Sequence, residues 1–501
     1  MALSLKKLAG QTAIYGLSSI IGRFLNYLLV PLYTYKITAV SGGYGVVTNI
    51  YAYTAFLLVL LTFGMETTFF YFANREEVDA RKAFSTSAGA VGLVALVFLL
   101  GCLVFLNPIA SVLGYDTHPE YIAIMAAVVA LDAFQSVLFA SLRQQDKAIK
   151  FVTLKLSFIF CNIGLNLFIF LLAPVLFEKG WPLMNWYAPN YQVGYIFIVN
   201  LICTAGVTFG FIPELRAMKF GIDRQLLKQM LKYTWPLLLF GIIGILNQVA
   251  DKICYRFIVP GQEGEVQLGI YGACVKIAMI VAIFTQAFRY AYEPFVFGGQ
   301  RDKNSPEVQA VVMKYFVMTT LLAFLLVMMY LDVFRYIISP TYWEGLKVVP
   351  IVMMAEIFMG IYFNLSFWYK LNGQTWWGAI FSAIGCAALL AINFVFVPKY
   401  GYMACAWGGF AGYGICMLLS YVVGRVKAPV PYPVKTILGY FALAVALYFI
   451  SIYLRPADEV WVMVLNTALL LVYVAVMLIA ERDLVKQILQ KISKTITSRI
   501  S

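Results

Sequence analysis

Runs of twenty or more predominantly apolar residues, separated by short charged or Gly/Pro-rich breaks, recur along almost the whole chain. A bilayer core about 30 Å thick needs roughly 20 apolar residues per helix. Windows of that length predict fourteen spans: 10–36, 44–72, 84–108, 120–142, 151–175, 191–213, 233–258, 266–297, 309–334, 346–369, 374–397, 401–424, 434–454 and 459–480. The runs are continuous, unlike the alternating ten-residue strands of a β-barrel, so the expected class is all-α and polytopic. The first span follows Lys6 and Lys7, is too long for a secretory signal core and has no A-x-A-like cleavage site. It is read as a retained helix.

Composition agrees with this pattern. Hydrophobic residues make up 62% and charged residues 12%, against about a quarter charged in soluble domains. The net charge of +13 raises the question of nucleic acid, but the basic residues fall in alternate connectors. One set runs through Lys6, Arg75, Arg81, Arg143, Lys147, Lys150, Arg216, Lys228, Arg301, Lys314, Arg425 and Lys435 to the tail from Arg482 to Arg499. The other holds only Lys36, Lys179, Arg335, Lys347, Lys399 and Arg455. The positive-inside rule makes the rich side cytoplasmic, puts both termini inside and demands an even number of spans. The charge is a topology signal, and no nucleic-acid partner is implied. The bilayer itself is the main partner that the charge pattern implies.

Two pairs of short matches suggest a chain built twice. Gly45 and Gly269 open the second and eighth spans, and Asn166 and Asn393 lie in the fifth and eleventh, at offsets of 224 and 227 residues. Six spans separate each pair, an even number, so the halves would be parallel repeats. The expected organisation is an N-lobe over 1–213 (six spans), a connector and C-lobe over 214–425 (six spans), and two further spans with a basic tail over 426–501. Leu226, Leu227, Met230 and Leu231 give the connector an amphipathic face that predicts a surface helix. Leu484, Ile488, Ile492 and Ile496 do the same for the tail.

Some chemistry is missing. No connector exceeds about twenty residues, too little for the aqueous catalytic region that a sugar-polymerising membrane enzyme needs. His118 is the only histidine, and no Walker-type phosphate loop occurs, which removes a His-based metal site and a built-in ATPase of that type. The eight cysteines all fall within spans without C-x-x-C spacing and read as small packing residues. No cofactor and no enzymatic activity are expected.

Ionisable residues inside spans cost at least about 2.5 to 3.5 kcal/mol each and generally face a bundle interior or a wet cavity. They are Arg23, Glu66, Asp132, Lys155, Asp251, Lys252, Arg256, Lys276, Arg289, Glu293 and Glu356. Arg23, midway along the first span, has no carboxylate within a turn; it either faces a cavity or pairs with a carboxylate such as Glu66. Lys252 and Arg256 share a face beside Asp251, and their place near the outer end also suits snorkelling. Arg289 and Glu293 are four apart, the spacing of an internal pair. Lys276 has no such neighbour. Along the first, seventh and eighth spans, Arg23, Lys252, Arg256, Lys276 and Arg289 outnumber Asp251 and Glu293, a balance that favours an anionic substrate such as a phosphate or pyrophosphate. Pro31 and Pro236 sit in corresponding spans of the two halves, as hinges or as tolerated kinks.

Several segments resemble the multidrug/oligosaccharidyl-lipid/polysaccharide exporter superfamily, in its polysaccharide-biosynthesis branch of Wzx-type O-antigen flippases. They are Tyr15-Gly16-Leu17-Ser18-Ser19-Ile20-Ile21-Gly22-Arg23, Leu29-Val30-Pro31-Leu32-Tyr33-Thr34, Gly45 leading to Phe63-Gly64-Met65-Glu66-Thr67, and Asn393 with Val397-Pro398-Lys399-Tyr400-Gly401. The resemblance implies two six-helix lobes around a central cavity, in a bacterial inner membrane. It implies transfer of an undecaprenyl-pyrophosphate-linked oligosaccharide to the outer leaflet for surface polysaccharide, in company with a polymerase and other assembly proteins. The pyrophosphate role maps onto Arg23, Lys276 and Arg289, and the last two spans are similar to an addition found in the peptidoglycan-precursor branch.

Physics supports the direction of transfer. Each negative charge moved outward uncompensated across an inside-negative potential gains about 2.3 kcal/mol per 100 mV. Co-movement of a cation through Glu66, Asp251 or Glu293 is the other energy source open to the chain. Three other functions fit less well: a cation-coupled drug or metabolite antiporter, which calls for a carboxylate-centred cavity; a membrane glycosyltransferase or polymerase, which the short connectors disfavour; and a non-transporting scaffold of a polysaccharide-assembly complex, which would not require the buried charges.

Overall fold

The computed structural model describes residue 25 and residues 27–218, 221–297 and 306–482. Among these, thirteen segments are long and apolar enough to cross a membrane, and they coincide with the second to fourteenth predicted spans. Of the first predicted span only the end is described, as α1 (Leu29–Lys36). The chain continues through α2 (Gly43–Thr62), α3 (Met65–Ala73), α4 (Ala80–Val104), α5 (Pro119–Gln144), α6 (Ala148–Leu167), α7 (Gln192–Phe209), α8 (Arg224–Ile258) and α9 (Gln262–Phe297). It ends in α10 (Pro306–Met329), α11 (Val349–Leu365), α12 (Trp376–Tyr400), α13 (Tyr402–Lys427), α14 (Val434–Tyr453) and α15 (Glu459–Ala480). Lipid offers no hydrogen bonds to a backbone, so runs this apolar settle into helices that satisfy themselves.

The second span is two helices. Phe63 (φ 35°) and Gly64 (φ 71°) are both left-handed and separate α2 from α3. Such a φ is unusual for a residue with a side chain. It is held from outside: Thr234 Oγ1 of α8 donates to the Phe63 carbonyl at 2.5 Å, and Gly64 lies against Thr234 and Leu237. The break re-aims α3, and with it Glu66.

The connector corrects an expectation. Residues 224–233 form no separate surface helix but the first turns of α8, which runs unbroken through Pro236. Asp223 caps it, its Oδ1 accepting from the amides of Gln225 and Leu226 at 3.0 Å. Leu226 and Met230 are buried in a cluster with Phe69, Ala83 and Phe139. The apolar face that the periodicity detects is satisfied by α3 and α4, not by lipid headgroups. The amphipathic tail, 484–496, lies outside the described residues.

α12 and α13 pack on each other, α13 packs on α11, and α14 and α15 lie against α10. That last attachment is polar as well as apolar: Lys314 Nζ contacts Glu481 at 2.7 Å, Tyr473 donates to the Met318 carbonyl at 3.1 Å and Asn466 to that of Met329 at 2.5 Å. Asn166 and Asn393, the matched asparagines of the fifth and eleventh spans, are both fully buried.

The other matched pair meets in space. Gly45 of α2 and Gly269 of α9 face each other so closely that a Cβ on Gly45 would overlap the Glu265 carbonyl oxygen and stand 3.0 Å from Gly269 N. A Cβ on Gly269 would stand 2.9 Å from Gly45 N. Small residues let membrane helices approach to backbone contact in this way. Gly45→Ala forces the two helices apart and is expected to cost about 1–3 kcal/mol. The measurement is thermal unfolding of the purified protein in detergent; an unchanged Tm would show that this crossing is not tight.

Candidate functional site

The positive-inside rule makes the end of the bundle holding Gly43, Ile258 and Gln262 the outer one, and there the two halves are fastened together. Tyr342 donates to the Ile37 carbonyl at 2.6 Å, and its ring meets Tyr44 edge-on, 5.8 Å between centroids. Asn49 Nδ2 donates to the Lys252 carbonyl at 2.7 Å. Tyr115, in the link before α5, donates to Asn49 Oδ1 at 2.7 Å; burial pushes its phenol well above the ordinary range, which keeps it a donor.

Arg256 is the hub of this closure. Its Nη2 stands 2.7 Å from Glu265 Oε1 and donates to the Gly114 carbonyl at 2.5 Å. Its guanidinium lies over the Tyr115 ring, 3.8 Å from the centroid. Arg256 therefore ties α8 and α9 to the link between α4 and α5. Periodicity finds Arg256 but not its partners, because Glu265 lies across a turn and Gly114 is 142 residues away.

Deeper in the C-terminal half the charges divide. Lys252 Nζ contacts Asp251 at 2.9 and 3.0 Å and the Gln248 carbonyl at 3.2 Å, while Tyr271 donates to Asp251 Oδ2 at 2.7 Å. Lys252 is thus compensated by its own neighbour. Lys276, on α9 about 20 Å in from that helix's outer end, has no hydrogen-bond or ion-pair partner among the described residues. It is surrounded by protein yet keeps accessible surface, as a side chain facing an internal space does. Glu356 of α11 shares that character; its Oε2 has no hydrogen-bond partner among the described residues, and it interacts electrostatically with Lys252. Thirteen residues beyond Lys276, about 20 Å further along α9, the Arg289 guanidinium lies over Phe363 at 4.0 Å, in a crevice with Thr285, Tyr292 and Asn364.

In the N-terminal half Glu66 is ion-paired with Arg143 of α5. Asp132 and Lys155 interact electrostatically. Arg23, and with it the reading that pairs it with Glu66, lies outside the described residues, as does the side chain of Glu293. Pro31 lies in α1, with the described residues Leu25 and Tyr27 before it also helical, and its ring leaves that helix without one backbone donor.

The fold is that of the multidrug/oligosaccharidyl-lipid/polysaccharide exporter superfamily, a class of polytopic transporters and flippases. A solved structure of the lipid II flippase MurJ in an inward closed conformation matches with a TM-score of 0.71 at 15% identity, over 94% of this chain and 99% of that one. An inward-facing multidrug resistance MATE family transporter matches with 0.61 at 13% identity, over 80% and 94%. A superfamily transporter from Pyrococcus furiosus, described as having a binding pocket of reverse polarity, matches with 0.50 at 14% identity, over 84% and 95%. The chain belongs to the polysaccharide biosynthesis protein family, whose model matches residues 8–291. No curated protein sequence matches it.

The outer closure makes a testable statement. Glu265 and Arg256 side chains are only 20% and 11% exposed, and removing one partner of such a pair costs several kcal/mol. Arg256→Ala should therefore shift the population toward an outward-open form. A cysteine placed at buried Val47 in a cysteine-free background should then react with an impermeant maleimide roughly tenfold faster or more. Equal rates would show that Arg256 does not hold the outer end shut.

Proposed function

We propose that this protein is a flippase that carries an undecaprenyl-pyrophosphate-linked oligosaccharide from the cytoplasmic to the outer leaflet of a bacterial inner membrane. It does so by alternating access, for O-antigen, capsule or exopolysaccharide assembly, and hands its cargo to a polymerase on the outer side. The observation that carries this reading is Lys276: a cation deep in a membrane helix, surrounded by protein, with no counter-ion in contact among the described residues. An uncompensated buried charge is retained where a ligand supplies the opposite sign, and a diphosphate offers several acceptor oxygens to an ammonium.

Family membership and the likeness to a lipid II flippase support a lipid-linked cargo. Arg23 and Arg289 join Lys276 as the proposed pyrophosphate contacts. Lys252, held by Asp251, and Arg256, held by Glu265, contribute to the field and to closure more than to direct contact. The N-lobe (1–213) and C-lobe (214–425) rock about α8, with 426–501 as an appended pair of helices and tail. A cation-coupled antiporter is the second reading, favoured by the interior carboxylate of Glu356 and by the likeness to MATE transporters; it predicts dye extrusion.

Complementation of a bacterium lacking its own O-antigen flippase tests the first reading. The wild type should restore surface polysaccharide, and Lys276→Ala and Arg23→Ala, at equal expression, should lose most of it. Restoration by both variants would remove the cationic site while leaving the function. Dye extrusion by a strain in which no polysaccharide is restored would favour the antiporter.

A further inference from the structure

At the cytoplasmic end of the N-terminal half lies an ionic cluster that the closure and the Lys276 site do not use. Glu66 stands in the first turn of α3, just past the Phe63–Gly64 break, and is ion-paired with Arg143 near the end of α5. A pair that only stapled two helices would be expected to be buried with its donors used. Here the Glu66 and Arg143 side chains are 43% and 32% exposed, so the outer part of the pair is open to a ligand, while the buried Nε of Arg143 has no hydrogen-bond partner among the described residues. The rings of Phe70 and Phe151, 5.1 and 5.9 Å from the guanidinium carbon, hold the group without competing for its donors.

Further into the membrane on α6, Lys155 rests over Phe139, its Nζ 4.1 Å from the ring centroid. Its side chain is surrounded by protein yet keeps accessible surface. It has no hydrogen bond or contact ion pair with the described residues, and it interacts electrostatically with Asp132, Glu66 and Arg143.

We propose that Arg143 and Lys155 form a loading subsite for the diphosphate headgroup of the lipid-linked cargo, with Glu66 as a resident counter-ion that the headgroup displaces. The inference rests on the flippase reading above and extends it to helices that carry none of the cations invoked there. Arg143 presents a planar fork to a diphosphate only when Glu66 gives up its hold, because the two anions compete for the same donors. Lys155, a flexible point charge without a contact partner, takes the second contact. The resting cluster of Arg143, Lys155, Glu66 and Asp132 is neutral, so the empty site is stable. The arriving headgroup replaces a carboxylate with a group of higher charge, and the cluster then favours the loaded state.

The test is titration of full-length protein in nanodiscs with farnesyl diphosphate, with farnesol as the uncharged control. Wild type should bind the diphosphate and not the alcohol. Lys155→Ala should weaken binding about tenfold, with Lys155→Arg restoring most of it, and Glu66→Gln should tighten it about fivefold by removing the competitor. Misfolding cannot produce a tighter complex, so the Glu66→Gln arm stands independently of stability. Wild-type affinity in both Lys155→Ala and Glu66→Gln, with binding lost in Lys276→Ala, would overturn the subsite and leave the flippase reading intact. No binding by the wild type would overturn both.

Discussion

The backbone contact between α2 and α9 at Gly45 and Gly269 sets the geometry on which the rest of the outer end depends. With no side chain between them, the helices approach until amide faces carbonyl. That approach brings Glu265 to Arg256 and places Asn49 against the Lys252 carbonyl. A wider crossing would leave these buried polar groups without partners, each at a cost of about 1–3 kcal/mol. The crossing is also part of the main apolar core: Tyr44, Val47 and Ile50 of α2 are buried in one cluster with Leu268 and Tyr271 of α9 and with Tyr342, so the glycine approach and the packing around it depend on each other.

Charge compensation divides the interior cations by role. Arg256 is held by Glu265 and Lys252 by Asp251, both largely buried, whereas Arg143 is held by Glu66 in a more exposed pair. Lys276 has no such partner among the described residues, and an uncompensated charge inside a membrane helix is costly. The outer end thus holds fastened charges, and the interior holds two cations without a contact counter-ion among the described residues, Lys276 and Lys155. The break at Phe63–Gly64 turns the cytoplasmic end of the second span so that Glu66 meets α5. Its left-handed backbone is stabilised by a hydroxyl from α8, the helix that joins the halves.

The apolar runs were enough to read the all-helical class and the thirteen spans among the described residues, because the bilayer imposes length and hydrophobicity on each segment independently of its neighbours. Gly45, Gly269 and Lys276 were also legible: a small residue recurring at a fixed offset and a lone charge in an apolar run stand out against their local background. The amphipathic face of Leu226 and Met230 was legible too, but not what covers it, since periodicity detects a buried stripe and is silent on whether lipid or protein buries it.

Whatever needed two segments to meet was decided by tertiary structure. Glu66 reads in sequence as one carboxylate near the end of a span; its partner Arg143 lies 77 residues on, and only the turn at Phe63–Gly64 brings them together. Arg256 and Lys252 read as a matched pair of cations four apart, yet one closes the outer end and the other answers its neighbouring aspartate. The sequence by itself determined that the chain spans a membrane as helices and carries charge inside it, because those follow from local solvation. Which charges are neutralised and which remain for a ligand depended on packing, because compensation is a property of distance in space and not along the chain.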